Sequence, residues 1–207
     1  KAQGRPIRAL ILTPTRELAL QIQESFEAYG KYLPLRSTVI FGGVGQAPQV
    51  ERLKNGVDIL VATPGRLGDL YQQGFVDLKH LEIFVLDEAD RMLDMGFVRD
   101  VTHILDTMPK RRNLGMFSAT ISREVLDISW VYQRDPVEIT VQADQENRPD
   151  IAQYSLQVDR SEKADVMAHL LDMGGYERVI AFCNTKNMTD RLAGLLDMRG
   201  ISCAAIH

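Results

Sequence analysis

The stretch Leu81-Glu82-Ile83-Phe84-Val85-Leu86-Asp87-Glu88-Ala89-Asp90 decides the fold. Five of the six residues before Asp87 are apolar, which predicts a strand over 81–86 buried on both faces of a parallel sheet. The strand ends abruptly in three carboxylates within four positions. In open α/β sheets, ligands bind just beyond the carboxyl ends of the strands, so Asp87 and Glu88 fall where a bound nucleotide would be handled. An aspartate there can hold Mg²⁺, usually through water, and an adjacent carboxylate can orient or deprotonate an attacking water. A plainer reading is an acidic strand-to-helix turn with Asp90 as N-cap, and the turn by itself does not separate the two.

Working outward, apolar runs alternate with amphipathic ones. Strands are expected over 7–12, 38–41, 58–61, 81–86, 113–117 and 137–141. Helices are expected after Thr15, where Leu18, Ile22 and Phe26 recur every four residues, and over 47–54, 65–72, 97–107 and 122–133. Strand and helix joined by short connections imply right-handed crossovers and a parallel sheet flanked by helices, an α/β fold. Residues 142–150 lose their apolar character and carry a proline, the profile of an exposed linker. The alternation then restarts, with strands over 152–158, 178–182 and 202–206 and helices over 162–171 and 188–198. The expected organisation is a first domain over 1–141, a linker over 142–150 and the start of a second, similar domain over 151–207. At about 57 residues the second region is small for an independent core.

With 207 residues and 45% hydrophobic content, the chain has enough apolar material for a globular core. No run approaches the 18 or so apolar residues of a membrane span, and no charged start precedes an apolar signal core, so a cytoplasmic location is expected. Cys183 and Cys203 stand apart in apolar contexts and are expected to be small buried residues. His80, His103, His169 and His207 show no ligand spacing, which argues against a nitrogen or sulfur metal site. The net charge of −4 gives no global reason to bind a polyanion, so any such binding must be local.

Several short motifs sit where strands give way to helices. In Pro14-Thr15-Arg16-Glu17-Leu18-Ala19, a helix start combines free N–H groups with a hydroxyl and a guanidinium. It can dock phosphate, or it is an ordinary helix capped by Thr15. Gly42, Gly43 and Gly45 allow close approach of a ligand or supply a turn with positive φ, and their spacing fits neither G-x-G-x-x-G nor a P-loop. Thr63-Pro64-Gly65-Arg66 puts an arginine in a first helical turn, where the dipole disfavours it and an anionic partner would relieve the conflict. Ser118-Ala119-Thr120 offers two hydroxyls to a neighbouring acidic loop, or a cap from Thr120 or Ser122. Lys110-Arg111-Arg112 is read as a solvated basic loop. Phe182-Cys183-Asn184-Thr185-Lys186 is either a phosphate-backbone contact or a turn and cap.

Taken in order, these motifs resemble the DEAD-box family of ATP-dependent RNA helicases of superfamily 2, over essentially the whole chain. Asp87-Glu88-Ala89-Asp90 matches the name-giving motif II, and Arg91 to Phe97 matches its continuation. Pro14 to Ala19 is similar to motif Ia, Gly42-Gly43 to the GG element, Thr63 to Arg66 to motif Ib, Ser118 to Thr120 to motif III, and Val179 to Thr185 to motif IV. The resemblance implies two RecA-like domains. It implies ATP and Mg²⁺, with Asp87 positioning the metal, Glu88 activating water, and Asp90, Ser118 and Thr120 linking nucleotide state to domain closure. It further implies single-stranded RNA along Thr15, Arg16, Gly42, Gly43, Thr63 and Arg66, with Phe182, Asn184 and Thr185 on the other domain. Such contacts are to the backbone and independent of sequence.

Two departures shape the expectation. No G-x-x-x-x-G-K-[ST] occurs, since Gly30-Lys31 is followed by Tyr32, and the adenine-recognising glutamine element is missing too. The arginine-rich motifs expected from the second domain are also missing. The chain therefore reads as a helicase fragment with no ATPase activity of its own. Without the strand before the P-loop, the first sheet is expected to lose a central member and keep an open, apolar edge, with self-association, a swapped dimer or marginal stability to follow. Alternatives of other kinds are a non-catalytic RNA clamp or scaffold and a DNA-directed superfamily 2 translocase, whose motif II more often ends in histidine.

Overall fold

Three short apolar strands and two mixed ones form a single parallel sheet because successive strands are joined by helices that return the chain to the same edge. A computed structural model describes residues 5–108, 113–141 and 151–206. The expected linker 142–150, the basic run Lys110-Arg111-Arg112 and His207 lie outside the described residues. The chain divides into two compact units, Lys1–Thr140 and Val141–His207.

In the first unit the strands are β1 (Ala9–Leu12), β2 (Ser37–Ile40), β3 (Ile59–Ala62), β4 (Ile83–Leu86) and β5 (Asn113–Met116). The helices are α1 (Arg16–Tyr29), α2 (Ala47–Lys54), α3 (Pro64–Gln72), α4 (Ala89–Asp94), α5 (Val98–Thr107) and α6 (Arg123–Tyr132). All pairings are parallel, in the order β2-β3-β1-β4-β5. The sheet runs from β2 to β5 with β1 at its middle. Its open edges are β2 and β5.

Alternate residues of β1 point to opposite faces. Leu10 and Leu12 join the larger core with Ile40, Leu60, Phe84 and Leu86, packed against residues of α2 to α6. Ile11 joins Val39, Val61 and Ala19 of α1 in a smaller cluster on the other face. The expectation that the 81–86 stretch is buried on both faces needs correction. The strand is confined to Ile83–Leu86, where Phe84 and Leu86 are buried while Ile83 is 45% exposed and Val85 only half-buried. The cause lies in the layering: α1 packs against β2 and β3, leaving the start of β4 uncovered on that face.

The helices begin near their predicted positions, with Thr15 Oγ1 accepting from the Leu18 N–H at 3.3 Å and Pro64 at the first position of α3. The short helix α4 starts at the strand-to-helix turn the sequence offered, but its extent was not legible, because six residues are too few to show a 3.6-residue period. Gly30 ends α1 with its N–H donating to the Phe26 carbonyl, so Gly30-Lys31 is a helix end and not a phosphate loop.

In the second unit the helices α7 (Lys163–Asp172) and α8 (Lys186–Asp197) form, and an Arg199–Asp165 ion pair joins their neighbourhoods. The strands expected over 152–158, 178–182 and 202–206 carry no ladder, and neither does 137–141. A strand exists through its partner, and here the apolar side chains of Tyr154, Leu156, Ile180, Phe182 and Ile206 are exposed. Only Ala168 and Leu196 are buried hydrophobics among the described residues of this unit, too little to offset chain ordering. For the same reason the cysteines are not buried as expected: Cys183 is half-buried and Cys203 exposed, both as free thiols.

Phe84 is fully buried in the middle of the larger core. Phe84→Ala is expected to cost about 3–5 kcal/mol of stability, read as a shifted midpoint in chemical denaturation of the first unit's signal.

Candidate functional site

Every strand stops at the same level. The register aligns Leu12 with Ala62 and Leu86, Ile40 with Ala62, and Leu86 with Met116. The residues that follow these five positions therefore emerge along one edge of the sheet.

On the β4 side, the Asp87 N–H donates to the Leu12 carbonyl at 2.9 Å, and its Oδ1 accepts from the Glu88 N–H at 3.1 Å. Burial pushes the Asp87 carboxyl above the usual carboxylate range; the Glu88 N–H opposes this and the Glu88 charge adds to it. A half-buried carboxylate held upward in this way gains from a hard cation, and the oxygen donor fits Mg²⁺. Among the described residues no group of three or more acidic, histidine or cysteine side chains could cage a metal.

Glu88 adopts left-handed backbone angles, φ 50° and ψ 52°, in the N-cap position of α4. A non-glycine residue there stores strain, retained where geometry matters to function. Its Oε2 lies 3.1 Å from Arg91 Nη1. The cap is thus Glu88 and not Asp90, correcting the plainer reading of the turn.

Asp90 instead reaches the turn after β5. Thr120 donates to Asp90 Oδ2 through both its hydroxyl, at 2.7 Å, and its N–H, at 2.8 Å. Ser118 Oγ accepts from the Asp90 N–H at 3.1 Å and donates to the Thr120 carbonyl at 2.7 Å. The Ala89 N–H donates to the Phe117 carbonyl at 3.0 Å. The Thr120 hydroxyl first, with the N–H groups of Arg91 and Thr120, lowers the Asp90 carboxyl from 3.8 to about 2. Ser122, not Thr120, caps α6, with its Oγ accepting from the Val125 N–H.

On the other side of β1, a cavity of about 380 Å³ is lined by Pro14, Arg16, Phe41, Gly42, Thr63, Gly65, Arg66, Asp69 and Phe97. It gathers Arg16, Gly42, Thr63 and Arg66 from three separate motifs; Thr15 and Gly43 adjoin it in sequence without lining it. The Arg16 guanidinium lies 5.0 Å from the centroid of the Phe41 ring. Arg66 donates from Nη2 to the Val44 carbonyl at 2.9 Å, while Nη1 is buried with no partner among the described residues. Gly43 has φ +79°, and apart from chain neighbours no heavy atom of the described residues lies within 4 Å of where a Cβ would sit on Gly42 or Gly43.

Asp69 and Phe97 were not singled out as cavity residues from the sequence. Asp69, three residues after Arg66 on α3, carried a findable signal, since that spacing places the pair together. Phe97 enters through the turn after α4, which the sequence did not resolve. Phe182, Asn184 and Thr185 lie in the second unit, where Phe182 is 94% exposed and Thr185 caps α8 by accepting from the Met188 N–H at 3.2 Å.

The family model for the DEAD/DEAH box helicases matches residues 1–128. The ATP-dependent RNA helicase DeaD of Mycobacterium tuberculosis is 41% identical over 200 residues, covering 96% of this chain and 35% of that protein. The DEAD-box ATP-dependent RNA helicase CshA of Geobacillus kaustophilus is 37% identical over 201 residues, covering 97% of this chain and 43% of that protein. Among solved structures, a DEAD box protein from the hyperthermophile Methanococcus jannaschii aligns with a TM-score of 0.65 at 37% identity, over 98% of this chain and 54% of that one. The chain belongs to the DEAD/DEAH box helicase family. It spans between about a third and a little under half of the length of these curated relatives.

The lowered Asp90 carboxyl has a signed consequence for acid stability. Its ionised form contributes stability that is fully present above pH 3.8 and lost as pH falls toward about 2. In Asp90→Asn this component is removed, so the difference in unfolding free energy between variant and wild type is expected to shrink as pH drops from 4 to 2, measured by denaturant titration at each pH.

Proposed function

We propose that the protein to which this chain belongs is an ATP-dependent RNA helicase, and that the chain supplies part of its RNA grip and the carboxylate edge of its ATP site. One observation carries the RNA half of this reading: Arg66 lines the cavity with a buried guanidinium nitrogen that has no partner among the described residues. An unsatisfied buried donor on a cation costs more than a neutral one, and an anionic oxygen relieves that cost. Beside it stand Arg16 and the side-chain-free backbone of Gly42, a surface for phosphate and sugar rather than base edges. Local cations and exposed N–H groups explain how a chain of net charge −4 grips a polyanion.

For the ATP half, Mg²⁺ with ATP supplies the phosphoanhydride and the cation that screens it. Asp87 would hold that cation. Glu88 accepts a proton from the attacking water once its carboxylate leaves Arg91. Asp90 ties the turn after β4 to Thr120 and Ser118, so a change at either turn is felt at the other. Phe182, Asn184 and Thr185 serve the RNA strand from the second unit. We place the protein in the cytoplasm.

Support for the RNA reading is tested by Arg66→Ala. Binding of a uridine decamer at fixed low salt is expected to weaken about tenfold or more, consistent with roughly 1.5–3 kcal/mol for a hydrogen bond to a charged group. Unchanged affinity would sink the reading.

The 207-residue chain carries no G-x-x-x-x-G-K-[ST] loop, so it has no cradle for the β- and γ-phosphates. It is expected to show no RNA-stimulated ATP turnover in a phosphate-release assay. A full-length protein carrying this segment is expected to turn over ATP and to lose that activity in Glu88→Gln while retaining RNA affinity.

A further inference from the structure

The loop over residues 42–45 has little packing of its own. Apart from their chain neighbours, no heavy atom of the described residues lies within 4 Å of where a Cβ would sit on Gly42, Gly43 or Gly45, and Val44 is exposed. Three glycines in four residues leave a large conformational entropy to suppress if the loop is to present one surface to a ligand. What fixes its shape must therefore be polar bonds from outside, and the structure supplies them from glutamines that do not line the cavity.

At the entry to the loop, Gln49 is buried and its carboxamide bonds both backbone groups of Phe41. The Phe41 N–H donates to Gln49 Oε1 at 3.2 Å, and Gln49 Nε2 donates to the Phe41 carbonyl at 3.1 Å. Phe41 directly follows β2, an edge strand, so this side chain takes the place of a neighbouring strand. At the exit, Gln46 and Gln73 form a reciprocal carboxamide pair, with Gln46 Nε2 donating to Gln73 Oε1 at 2.9 Å and Gln73 Nε2 donating back to Gln46 Oε1 at 3.3 Å. Gln73 Nε2 also donates to Asp69 Oδ1 at 2.8 Å. Asp69 Oδ2 lies 3.8 Å from Arg66 Nε, and Arg66 Nη2 returns to the loop at the Val44 carbonyl, 2.9 Å away. The contacts close a ring from Val44 through Arg66, Asp69, Gln73 and Gln46 back to the loop two residues on.

We propose that Gln46, Gln49 and Gln73, with Asp69, are positioning residues that hold the glycine loop in its RNA-gripping shape and aim Arg66 into the cavity. The proposal rests on the RNA-backbone reading given above. Glutamine suits the task because one planar group carries both donor and acceptor, so a pair can bond reciprocally, which two carboxylates or two ammonium groups cannot. None of the three glutamines needs to touch RNA. Their contribution is to reduce the ordering cost that binding would otherwise meet.

The test uses the 207-residue chain and the exposed pair, where substitution does not threaten the core. Gln46→Leu, Gln73→Leu and the double variant are compared with wild type and with Gln72→Leu, the adjacent residue, as control. Uridine-decamer binding is read by fluorescence anisotropy, and amide hydrogen exchange over residues 42–46 is read without RNA by mass spectrometry. Each single change is expected to weaken binding about 2- to 10-fold, the range for losing one ordinary hydrogen bond, and to speed loop exchange by a similar factor. Because either change opens the same ring, the double variant is expected to lose no more than the worse single one, with the thermal midpoint and the Gln72→Leu control unchanged. Losses that multiply in the double variant, or single variants that bind and exchange as wild type, would overturn the proposal. If wild type itself does not bind the decamer, the RNA reading fails; unchanged exchange in the variants would then overturn the positioning role by itself.

Discussion

The shared stopping level of five parallel strands is the constraint on which both halves of the site depend. Parallel pairing through β1 sets Leu12 beside Ala62 on one side and Leu86 on the other, and the outer strands follow the same register. Motifs separated by many residues in sequence thereby leave the sheet side by side. The chemistry of each turn is local, but its neighbours are chosen by the ladder. The acidic turn after β4 meets the hydroxyls after β5, and the basic turns after β1 and β3 meet the glycines after β2.

Between the two halves runs a short mechanical link. Asp90 lies in the first turn of α4, the Phe97 N–H donates to the Met92 carbonyl at 3.2 Å just beyond its end, and Phe97 lines the cavity beside Arg66. A single helix of six residues thus spans from the carboxylate turn to the wall of the cavity. Met92 and Leu93 anchor it in the larger core. One short helix therefore adjoins both halves of the site.

Most of the first unit was legible in the sequence because its strands are apolar runs of ordinary length, punctuated by Thr-Pro, Gly-Gly and acidic turns. Edges moved by a residue or two, as expected of boundaries. What escaped was of two kinds. Helix α4 is too short to display a period, and with it went the placing of Phe97. The second unit's apolar stretches read as strands by composition, yet composition reports only what a segment would bury given a partner. Ile180 and Phe182 find none among the described residues and stay exposed. The candidate site divides in the same way. Asp90, Ser118 and Thr120 were named together by the family resemblance, but the two hydrogen bonds from Thr120 and the left-handed turn at Glu88 belong to geometry. The glutamines at 46, 49 and 73 left no signal, since a carboxamide on a surface helix ordinarily means nothing more than solvation.

The common stopping level also sorts the chain by its tolerance of length changes. Side chains alternate across a strand, so one residue inserted within β4 would carry Asp87 to the opposite face and break its alignment with Leu12. The connection from Tyr29 to Arg36 reaches the other end of the sheet, where strands begin. There Tyr29, Tyr32 and Leu33 already stand in solvent, and an added residue would leave the register of every strand intact. Evolution of a chain like this one is therefore free to write new sequence at one end of its sheet and is held to strict residue counts at the other.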